Sequence, residues 1–249
     1  MASSRTVAIL GSTSAIARAV AVAFARQGYG VILGARDVED NEMLAADIRV
    51  RCGVEAHAVQ FEAEDFDSHP AFLGKCLDLA EDSLEGVVLC FAFMDSQAKA
   101  QSDFAVARRT VDVNFTAAIS ILELFAGHFE QRRSGFIAAV SSVAGDCGRQ
   151  SNYIYGSTKG GLSVYLQGLR NRLYHSGVHV TTIKPGFVDT KMTFGRPGLF
   201  LVASPEKAGQ DIFNAIRGRK NVAYVPRFWR FVMLIFQHIP EFVFKRMKM

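Results

Sequence analysis

Three side chains near the middle of the sequence have the types and the spacing needed to move a proton at an oxygen atom. Tyr155 and Lys159 lie four residues apart in a segment with helical spacing, so they share one helix face. An ammonium group near a phenol favours the phenolate and lowers the tyrosine pKa from about 10 toward neutral pH. The phenol then becomes a usable general acid or base. Ser142 lies thirteen residues before Tyr155, at the end of a predicted strand, and its hydroxyl can reach the same substrate oxygen.

A tyrosine and a lysine at this spacing also occur as an ordinary surface pair that contributes only a fraction of a kcal/mol. Four further features occur here in a consistent order along the chain and make that alternative improbable. They are the turn at Gly11, Asn114 in the segment VDVNFTAAIS, Ser142 at its strand end, and the segment 185–190, PGFVDT. Together they predict a catalytic site.

The turn that follows the first predicted strand has the features of a phosphate-binding turn. Gly11 lets the chain turn sharply, and the helix that opens next presents free N–H groups to a pyrophosphate. The usual second and third glycines of such a turn are replaced by Ala15 and Ala17, and the methyl group of Ala15 could hinder close approach of the backbone to phosphate. The turn alone is also compatible with an ordinary capped helix. The residues predicted to contact the cofactor here are Gly11, Ser12, Thr13, Ser14 and Ile16.

The end of the second predicted strand indicates which dinucleotide would bind. An acidic residue at this position accepts hydrogen bonds from the ribose hydroxyls of NAD, whereas an arginine suits the 2′-phosphate of NADP. Gly34 and Ala35 offer no carboxylate, and Arg36 follows directly. The sequence therefore predicts NADP(H) in preference to NAD(H), with Arg36 and Asp37 in the cofactor site. Alternatively, Arg36 is a solvated loop charge and Asp37 caps the next helix, and both descriptions can hold at once.

The elements that must position these residues alternate along the chain. Short apolar, β-branched stretches recur at 6–10, 30–34, 56–61, 86–91, 135–141 and 178–183. Longer segments with helical spacing lie between them, for example at residues 14–27. Strands that alternate with helix-length segments predict an α/β fold, a doubly wound parallel sheet with helices on both faces and ligands at the carboxyl ends of the strands. We expect a single domain, residues 1–226, followed by a basic, aromatic tail, residues 227–249.

With these motifs in order, residues 5–226 resemble the short-chain dehydrogenase/reductase family, which has a Rossmann fold. The resemblance implies that Tyr155 protonates a carbonyl oxygen as hydride leaves the nicotinamide, and that Ser142, rather than Ser141, polarises that oxygen. Lys159 would tune Tyr155 and bind the nicotinamide ribose. Asn114 would hold a water that connects Lys159 to solvent.

The same resemblance assigns further residues to the cofactor. An acid after the third strand, here Glu62, would lie beside the adenine, and the segment 185–190 would close over the nicotinamide. The family's Asn-Asn-Ala-Gly loop after the fourth strand is replaced by residues 90–93, CFAF, so that only Ala92 matches. The cofactor residues implied in the later segment are Pro185, Gly186, Val188 and Thr190. The family's usual helix pairing also implies a homodimer or homotetramer through residues 103–131 and 152–176.

Composition and charge exclude several other classes of protein. The chain has 249 residues, of which 49% are hydrophobic and 21% are charged, as in an ordinary globular domain. The net charge of +4 is concentrated near the end, because residues 217–249 hold eight basic side chains and one acid, +7, and leave −3 for residues 1–216. This distribution does not predict nucleic-acid binding by the main body. The four scattered cysteines predict neither disulfides nor a metal site, and the N-terminus shows no signal peptide, so we expect a cytoplasmic protein.

The tail, residues 227–249, permits two interpretations. Phe231–Phe236 is an uninterrupted apolar run that is too short to span a bilayer but suits a helix lying in the membrane interface. Alternatively, the tail is a helix that covers the sheet edge or a dimer partner. The sequence alone leaves both interpretations open.

A narrower resemblance bears on the substrate. The segments 142–146 and 148–162, PGFVDTKMT at 185–193 and the ending with residues 225–226, 238–240 and 243–246 resemble the decaprenylphosphoryl-2-keto-ribose reductases. That resemblance implies reduction of a 2-keto sugar linked to a polyprenyl phosphate, a flavin-dependent oxidase as partner, and a place on the cytoplasmic face of the membrane. Two alternatives stay open: a reductase or dehydrogenase of a soluble or acyl ketone or secondary alcohol, and a dinucleotide-binding regulatory module without turnover.

Overall fold

The centre of the molecule is a seven-stranded parallel sheet. The computed structural model describes residues 5–191, 193 and 201–247. Its strands are β1 Thr6–Leu10, β2 Gly30–Ala35, β3 Ala56–Gln60, β4 Leu84–Leu89, β5 Phe136–Val140, β6 His179–Pro185 and β7 Val222–Val225. They lie in the order β3-β2-β1-β4-β5-β6-β7, and every neighbouring pair is parallel. The predicted single α/β domain with a doubly wound sheet is confirmed. The short strand β7 was not predicted.

Helices cover both faces of this sheet. They are α1 Ala15–Ala25, α2 Val38–Cys52, α3 His69–Ala80, α4 Gln97–Ser102, α5 Phe104–Val111, α6 Ala117–Arg132, α7 Tyr153–Leu173, α8 Pro205–Arg217, α9 Trp229–Gln237 and α10 Glu241–Phe244. Helices α1, α2 and α8 pack on one face, and α3, α6 and α7 pack on the other.

Strand β1 shows why the strands read as continuous apolar runs. Side chains alternate along a strand, so Val7 and Ile9 point into the core on one face while Ala8 and Leu10 point into the core on the other. All four are fully buried. Burial on both faces removes the polar positions that an exposed sheet would show, and it fixes the register of the central strand.

The order of the strands reverses between β1 and β4. Loops that leave these two strands diverge to opposite faces and open a crevice at the carboxyl edge, where ligands of such sheets bind. Gly11, Cys90 and Ser142 follow β1, β4 and β5 on this edge. The topology therefore brings the turn at Gly11, the altered loop 90–93 and the proposed catalytic serine to one place.

One long helical stretch runs along the sheet. Residues 104–132 form α5, a π-helical turn at Asp112–Thr116 and α6 in succession. By length and composition this stretch could cross a membrane, but half of its most apolar window is buried inside the protein, as in the core helix of a globular domain. Its residues and those of α7 match the segments predicted to pair between subunits, and the oligomeric state itself stays a prediction.

The segment after β7 packs against the domain through one side only. Trp229 and Met233, one turn apart on α9, are buried against Val143. The guanidinium of Arg149 lies over the ring of Phe236, with 5.7 Å between its Cζ and the ring centroid. Thus α9 rests on the loop that leads from Ser142 to α7. Lys248, one of the basic residues predicted in the tail, lies outside the described residues.

Candidate functional site

Helix α7 places Tyr155 and Lys159 on the same face, as the spacing predicts. Tyr155 lies in the first turn of the helix, and the Lys159 Nζ atom lies 5.8 Å from the centroid of its ring. The Lys159 side chain is buried, and Nζ donates a hydrogen bond of 2.9 Å to the carbonyl oxygen of Val140. Burial lowers the pKa of Lys159 to about 8 because the low-dielectric interior disfavours its charged form. The two side chains therefore lie close enough for the charge of Lys159 to act on the phenol.

The geometry distinguishes between the two neighbouring serines. Ser141 is buried, and its Oγ atom lies 2.9 Å from the Lys159 carbonyl oxygen and 2.8 Å from Ser163 Oγ. Ser142 caps the short helical turn that follows β5, and its Oγ atom accepts the backbone N–H of Ala144 at 3.0 Å. Because that bond uses a lone pair, the hydroxyl hydrogen of Ser142 is left to donate to a substrate oxygen.

Small residues allow the Ser142 turn to touch helix α7. A Cβ atom at Gly156 would come within 2.6 Å of the Ala144 carbonyl oxygen, and one at Gly145 would come within 2.6 Å of the Gly160 nitrogen. Distances this short would push the turn away from the helix and separate Ser142 from Tyr155. Gly145 and Gly156 therefore fix the separation of the proposed catalytic groups, a role that was not predicted from the sequence.

Asn114 lies in the π-helical turn between α5 and α6 and is buried. Single π-turns inside α-helices are frequent at functional sites. Its Oδ1 atom accepts the backbone N–H of Phe93 at 2.7 Å, and its Nδ2 atom donates to the Phe93 carbonyl at 2.8 Å and to Thr158 Oγ1 at 3.2 Å. The side chain thus ties the altered loop after β4 to the first turns of α7. Both of its polar atoms are engaged, and the role in a water relay stays a prediction.

The turn after β1 has the backbone shape that close approach to a phosphate requires. Gly11 has a φ of +78°, and a Cβ there would lie 2.7 Å from the Phe91 nitrogen. The Ser14 hydroxyl caps α1 by accepting the Ala17 N–H at 3.3 Å. Thr13 and Ile16 are partly exposed beside it. The turn therefore presents a capped helix N-terminus at the ligand edge of the sheet.

Ser12 differs from its neighbours in this turn. Its side chain is buried, and its hydroxyl donates to Asn41 Oδ1 at 2.6 Å, while the Gly34 carbonyl oxygen lies 3.1 Å from the same Oγ atom. Asn41 in turn donates to the Leu33 carbonyl at 2.6 Å. The Ser12 hydroxyl therefore braces the turn against β2 and α2, so that a contact with a cofactor would fall to its backbone.

Three predicted cofactor residues lie where β2 and β3 end. Arg36 is exposed, with its Nε atom 4.0 Å from Glu62 Oε2. Asp37 caps α2 by accepting the N–H of Asp40 at 3.0 Å. This is the helix-capping role that was predicted from the sequence as an alternative to a cofactor contact. Arg36 has no closer carboxylate partner among the described residues, and its guanidinium faces solvent at the ligand edge. Ala92 lies partly exposed in the loop that Asn114 holds.

The segment 185–190 leaves β6 at the same edge. Pro185 ends β6, Val188 is buried and forms an isolated bridge with Ala203, and the Thr190 N–H donates to Thr193 Oγ1 at 3.0 Å. Gly186 lies so close to Trp229 that a Cβ there would come within 2.0 Å of the indole Nε1 atom. Helix α9 therefore packs directly on the segment that is predicted to cover the nicotinamide.

A buried ion pair joins the turn after Ser142 to strands β6 and β7. The Asp146 carboxylate, 1% exposed, pairs with Lys184 Nζ and accepts the Tyr224 hydroxyl at 2.8 Å. Burial raises the pKa of Tyr224 above its ordinary value, and the carboxylate that it bonds acts in the same direction. Asp146 follows the Ser142 turn, Lys184 precedes Pro185, and Tyr224 lies on β7. The cluster thus holds the serine turn, the segment 185–190 and the chain leading into α9 in one arrangement. The cluster was not predicted from the sequence, because its members lie far apart along the chain.

This arrangement defines a dinucleotide-binding α/β protein with a tyrosine, a lysine and a serine at the carboxyl edge of its sheet. Residues 5–196 match the family of short chain dehydrogenases, and the chain belongs to that family. It is an oxidoreductase. Among the described residues, no group of three His, Cys, Asp or Glu side chains could hold a metal ion.

Relatives extend over nearly the whole chain. An uncharacterized oxidoreductase of Mycobacterium tuberculosis is 31% identical over 242 residues, which is 97% of this chain and 96% of that protein. A serine 3-dehydrogenase of Agrobacterium fabrum is 30% identical over 198 residues, 78% of this chain and 76% of that protein. Among solved structures, a short-chain dehydrogenase from Sphingobium yanoikuyae in complex with NADPH has a TM-score of 0.81 at 24% identity, covering 95% of this chain and 97% of its own. The structural match supports the fold.

Proposed function

We propose that this protein is an NADP(H)-dependent carbonyl reductase that converts a ketone to a secondary alcohol. The observation that carries the proposal is the Tyr155–Lys159 pair on α7, with Lys159 buried and its Nζ atom 5.8 Å from the Tyr155 ring centroid. The turn that Ser142 caps packs against the same helix, and the Ser142 hydroxyl hydrogen is left to donate to a substrate oxygen. The actinorhodin polyketide ketoreductase, solved with NADPH, shares the fold with a TM-score of 0.71 at 22% identity and covers 76% of this chain and 72% of its own. Its activity supports the reaction class by analogy only.

The chain's own residues divide the work of the reaction. The bound dinucleotide supplies a hydride to the carbonyl carbon. Ser142 donates a hydrogen bond to the carbonyl oxygen and polarises it, and Tyr155 transfers its phenolic proton to that oxygen. Lys159 in its charged form stabilises the negative charge that develops on the phenol oxygen, which eases this transfer. Asn114 fixes the position of the loop 90–93 relative to α7. The proton that Tyr155 gives up is replaced from solvent.

The residues of the crevice fit a dinucleotide. Gly11 turns the chain in a left-handed conformation, so that α1 begins at the ligand edge of the sheet and its N-terminus, capped by Ser14, can receive a pyrophosphate. Arg36 supports the preference for NADP(H), because an exposed guanidinium at the end of β2 can pair with a 2′-phosphate. Glu62 lies within 4.0 Å of Arg36 and would orient it.

For the substrate, we propose a 2-keto sugar linked to a polyprenyl phosphate, reduced at the cytoplasmic face of the membrane. The altered loop at 90–93 and the basic, apolar segment after residue 226 support this choice over a soluble or acyl ketone. A flavin-dependent oxidase that makes the keto sugar would then be a functional partner, and the enzyme would work as a homodimer or homotetramer. A farnesyl-phosphoryl 2-keto-pentose should be reduced with a much higher kcat/KM than the free pentulose. Equal kcat/KM values would mean that the prenyl phosphate is not recognised, and would favour a soluble ketone as the substrate.

The reaction is tested by following NADPH oxidation with a panel of ketones. Tyr155→Phe should lower kcat by about 10²- to 10⁴-fold while NADPH still binds, because only the proton donor is lost. Tyr153→Phe is the matched control, since Tyr153 lies in the same turn with its ring exposed to solvent. Its turnover should equal that of the wild type. Unchanged turnover in Tyr155→Phe would refute the mechanism, and a wild-type protein that binds NADPH without oxidising it against any ketone would favour a regulatory module.

A further inference from the structure

Helix α9 is apolar on two opposite faces. Its inner face carries Trp229 and Met233, which are buried against the domain. Its outer face carries Phe231, Leu234 and Ile235, whose exposed fractions lie between 54% and 68%. At 100° per residue these three side chains span one arc of the helix directly opposite Trp229. A helix at the surface of a globular domain normally places charged or polar residues on that arc.

The apolar surface continues beyond α9 into the last described residues. Phe242 and Val243 of α10, and Met247 after it, are exposed as well. Six large apolar side chains therefore face outward within residues 231–247 of the described chain. Each of them would gain up to about 1.5–3 kcal/mol if it were fully buried, so the surface is suited to contact with another apolar phase. We refer to these six residues as the outer face.

Exposed basic side chains occur in the same stretch of chain as the outer face. Arg227, Arg230, Lys245 and Arg246 are exposed, and Glu241 is the one acidic residue among the described residues 227–247. This excess of positive charge suits anionic lipid headgroups, which attract each basic residue near a bilayer surface by about 1 kcal/mol. Aliphatic and aromatic side chains rimmed by arginine and lysine are the composition of helices that lie in a membrane interface.

A second copy of this chain is a poorer occupant of the same surface. Two copies related by a two-fold axis would place the same patch opposite itself, so four cations of one subunit would face four of the other. Like charges that meet across an interface cost free energy. Helix α9 also has only nine residues, about 14 Å at 1.5 Å per residue, and cannot span a hydrocarbon core of about 30 Å.

We propose that the outer face docks the protein onto an anionic lipid bilayer, with α9 and α10 lying parallel to the membrane surface. The inner face of α9 rests on Val143 and on Gly186, so docking would bring the site edge of the domain close to the bilayer. An apolar ketone held in the membrane could then reach Tyr155 without crossing water. This inference concerns lipid binding and stands independently of the proposed reaction.

Co-sedimentation of the full-length protein with vesicles tests the proposal. Vesicles of phosphatidylglycerol and phosphatidylcholine should bind the wild type, and pure phosphatidylcholine vesicles should bind it more weakly. Phe231→Ser/Ile235→Ser should lower the partition coefficient on mixed vesicles by about tenfold or more, because two inserted side chains are lost. The matched control is Met43→Ser/Val50→Ser, since Met43 and Val50 are 62% and 85% exposed on α2, away from the outer face and from the segments predicted to pair between subunits. This control should bind as the wild type does.

The charge contribution is tested separately. Arg230→Gln/Arg246→Gln should lower binding to mixed vesicles by roughly tenfold or more, at about 1 kcal/mol per charge, and should barely change binding to pure phosphatidylcholine. Circular dichroism and NADPH binding establish that each variant is folded. Wild-type protein that fails to sediment, or a Phe231→Ser/Ile235→Ser variant that binds as well as the wild type, would overturn the proposal. Light scattering that shows Phe231-dependent self-association without vesicle binding would assign the outer face to a second copy.

Discussion

The indole of Trp229 packs on the backbone of Gly186, and there is no room between them for a methyl group. A Cβ on residue 186 would come within 2.0 Å of Trp229 Nε1. This contact joins the helix that carries the outer face to the segment that follows β6. It also explains why a glycine is needed after Pro185, where the backbone has no left-handed conformation that would require one.

Gly186→Ala should therefore destabilise the protein and disturb the segment that is predicted to cover the cofactor. Overpacking of a well-filled site typically costs 1–3 kcal/mol, and we expect a loss of that order in the free energy of unfolding together with weaker NADPH binding. Urea unfolding and fluorescence titration with NADPH measure both effects. Gly168→Ala is the control, because nothing lies within 4 Å of its Cβ position in α7, and a helical Gly→Ala change stabilises by up to about 1 kcal/mol.

The double variant Gly186→Ala/Trp229→Leu separates this contact from other causes. The smaller leucine makes room for the added methyl group, so the pair should lose less stability than the sum of the two single changes. Losses that simply add would show that the contact is not the source of the effect.

Asp146→Ala should be among the most damaging single changes in the site. It leaves Lys184, 14% exposed at its side chain, without its carboxylate, and breaking a buried pair on one side typically costs about 3–5 kcal/mol. Tyr224→Phe removes only one hydrogen bond to the same carboxylate and should cost about 1 kcal/mol. Urea unfolding of the two variants and the wild type measures both losses in the free energy of unfolding.

The Asp146 cluster also positions Ser142, and this effect can be separated from stability. Asp146→Ala/Lys184→Met removes both charges and should recover much of the lost stability while kcat stays low, because the serine turn is no longer tied to β6 and β7. Full recovery of kcat along with stability would show that the cluster has no positioning role.

Arg36→Ala should change the cofactor preference. The loss of a charged hydrogen bond to the 2′-phosphate costs about 1.5–3 kcal/mol, which weakens NADPH by roughly 10- to 100-fold and leaves NADH nearly unchanged. Arg26→Ala serves as the control, because Arg26 is an exposed arginine at the other end of α1. Equal losses for NADPH and NADH in Arg36→Ala would refute the assignment to the 2′-phosphate.

The features that could be predicted from the sequence are those encoded by local spacing. Tyr155 and Lys159 share a face because a helix repeats every 3.6 residues, and the burial of both strand faces appears as apolar runs. Residues that meet through the fold carry no such signal. Lys184 reads as one more basic residue near the end of β6, and only the pairing of β6 with β7 brings it to Tyr224.

The position of the tail also depends on contacts that are formed only through the fold. The composition of residues 227–249 suited both a membrane helix and a helix packed on the domain. In the structure the inner half of α9 is packed on Val143 while its outer half is exposed, so the packed helix is observed and the membrane helix stays a prediction. The burial of Trp229 depends on the small size of Gly186, which lies more than forty residues away in the chain.

The burial of Lys159 predicts a characteristic dependence of stability on pH in the protein without cofactor. Its pKa is about 8 in the folded protein, whereas the ordinary value is 10.5, so the unfolded chain binds more protons between these two pH values. The cost of burying the charged ammonium is therefore fully present below pH 8 and is relieved as the pH rises toward 10.5. Lys159→Met lacks this group. Between pH 7 and pH 10, the wild type should gain roughly 2 kcal/mol of stability relative to Lys159→Met, from a shift of about 1.4 kcal/mol per pKa unit. Urea unfolding of both proteins at the two pH values gives this double difference, in which other titrating groups cancel. A double difference near zero would mean that the pKa of Lys159 is ordinary and that burial of its charged ammonium beside Tyr155 costs no free energy of folding.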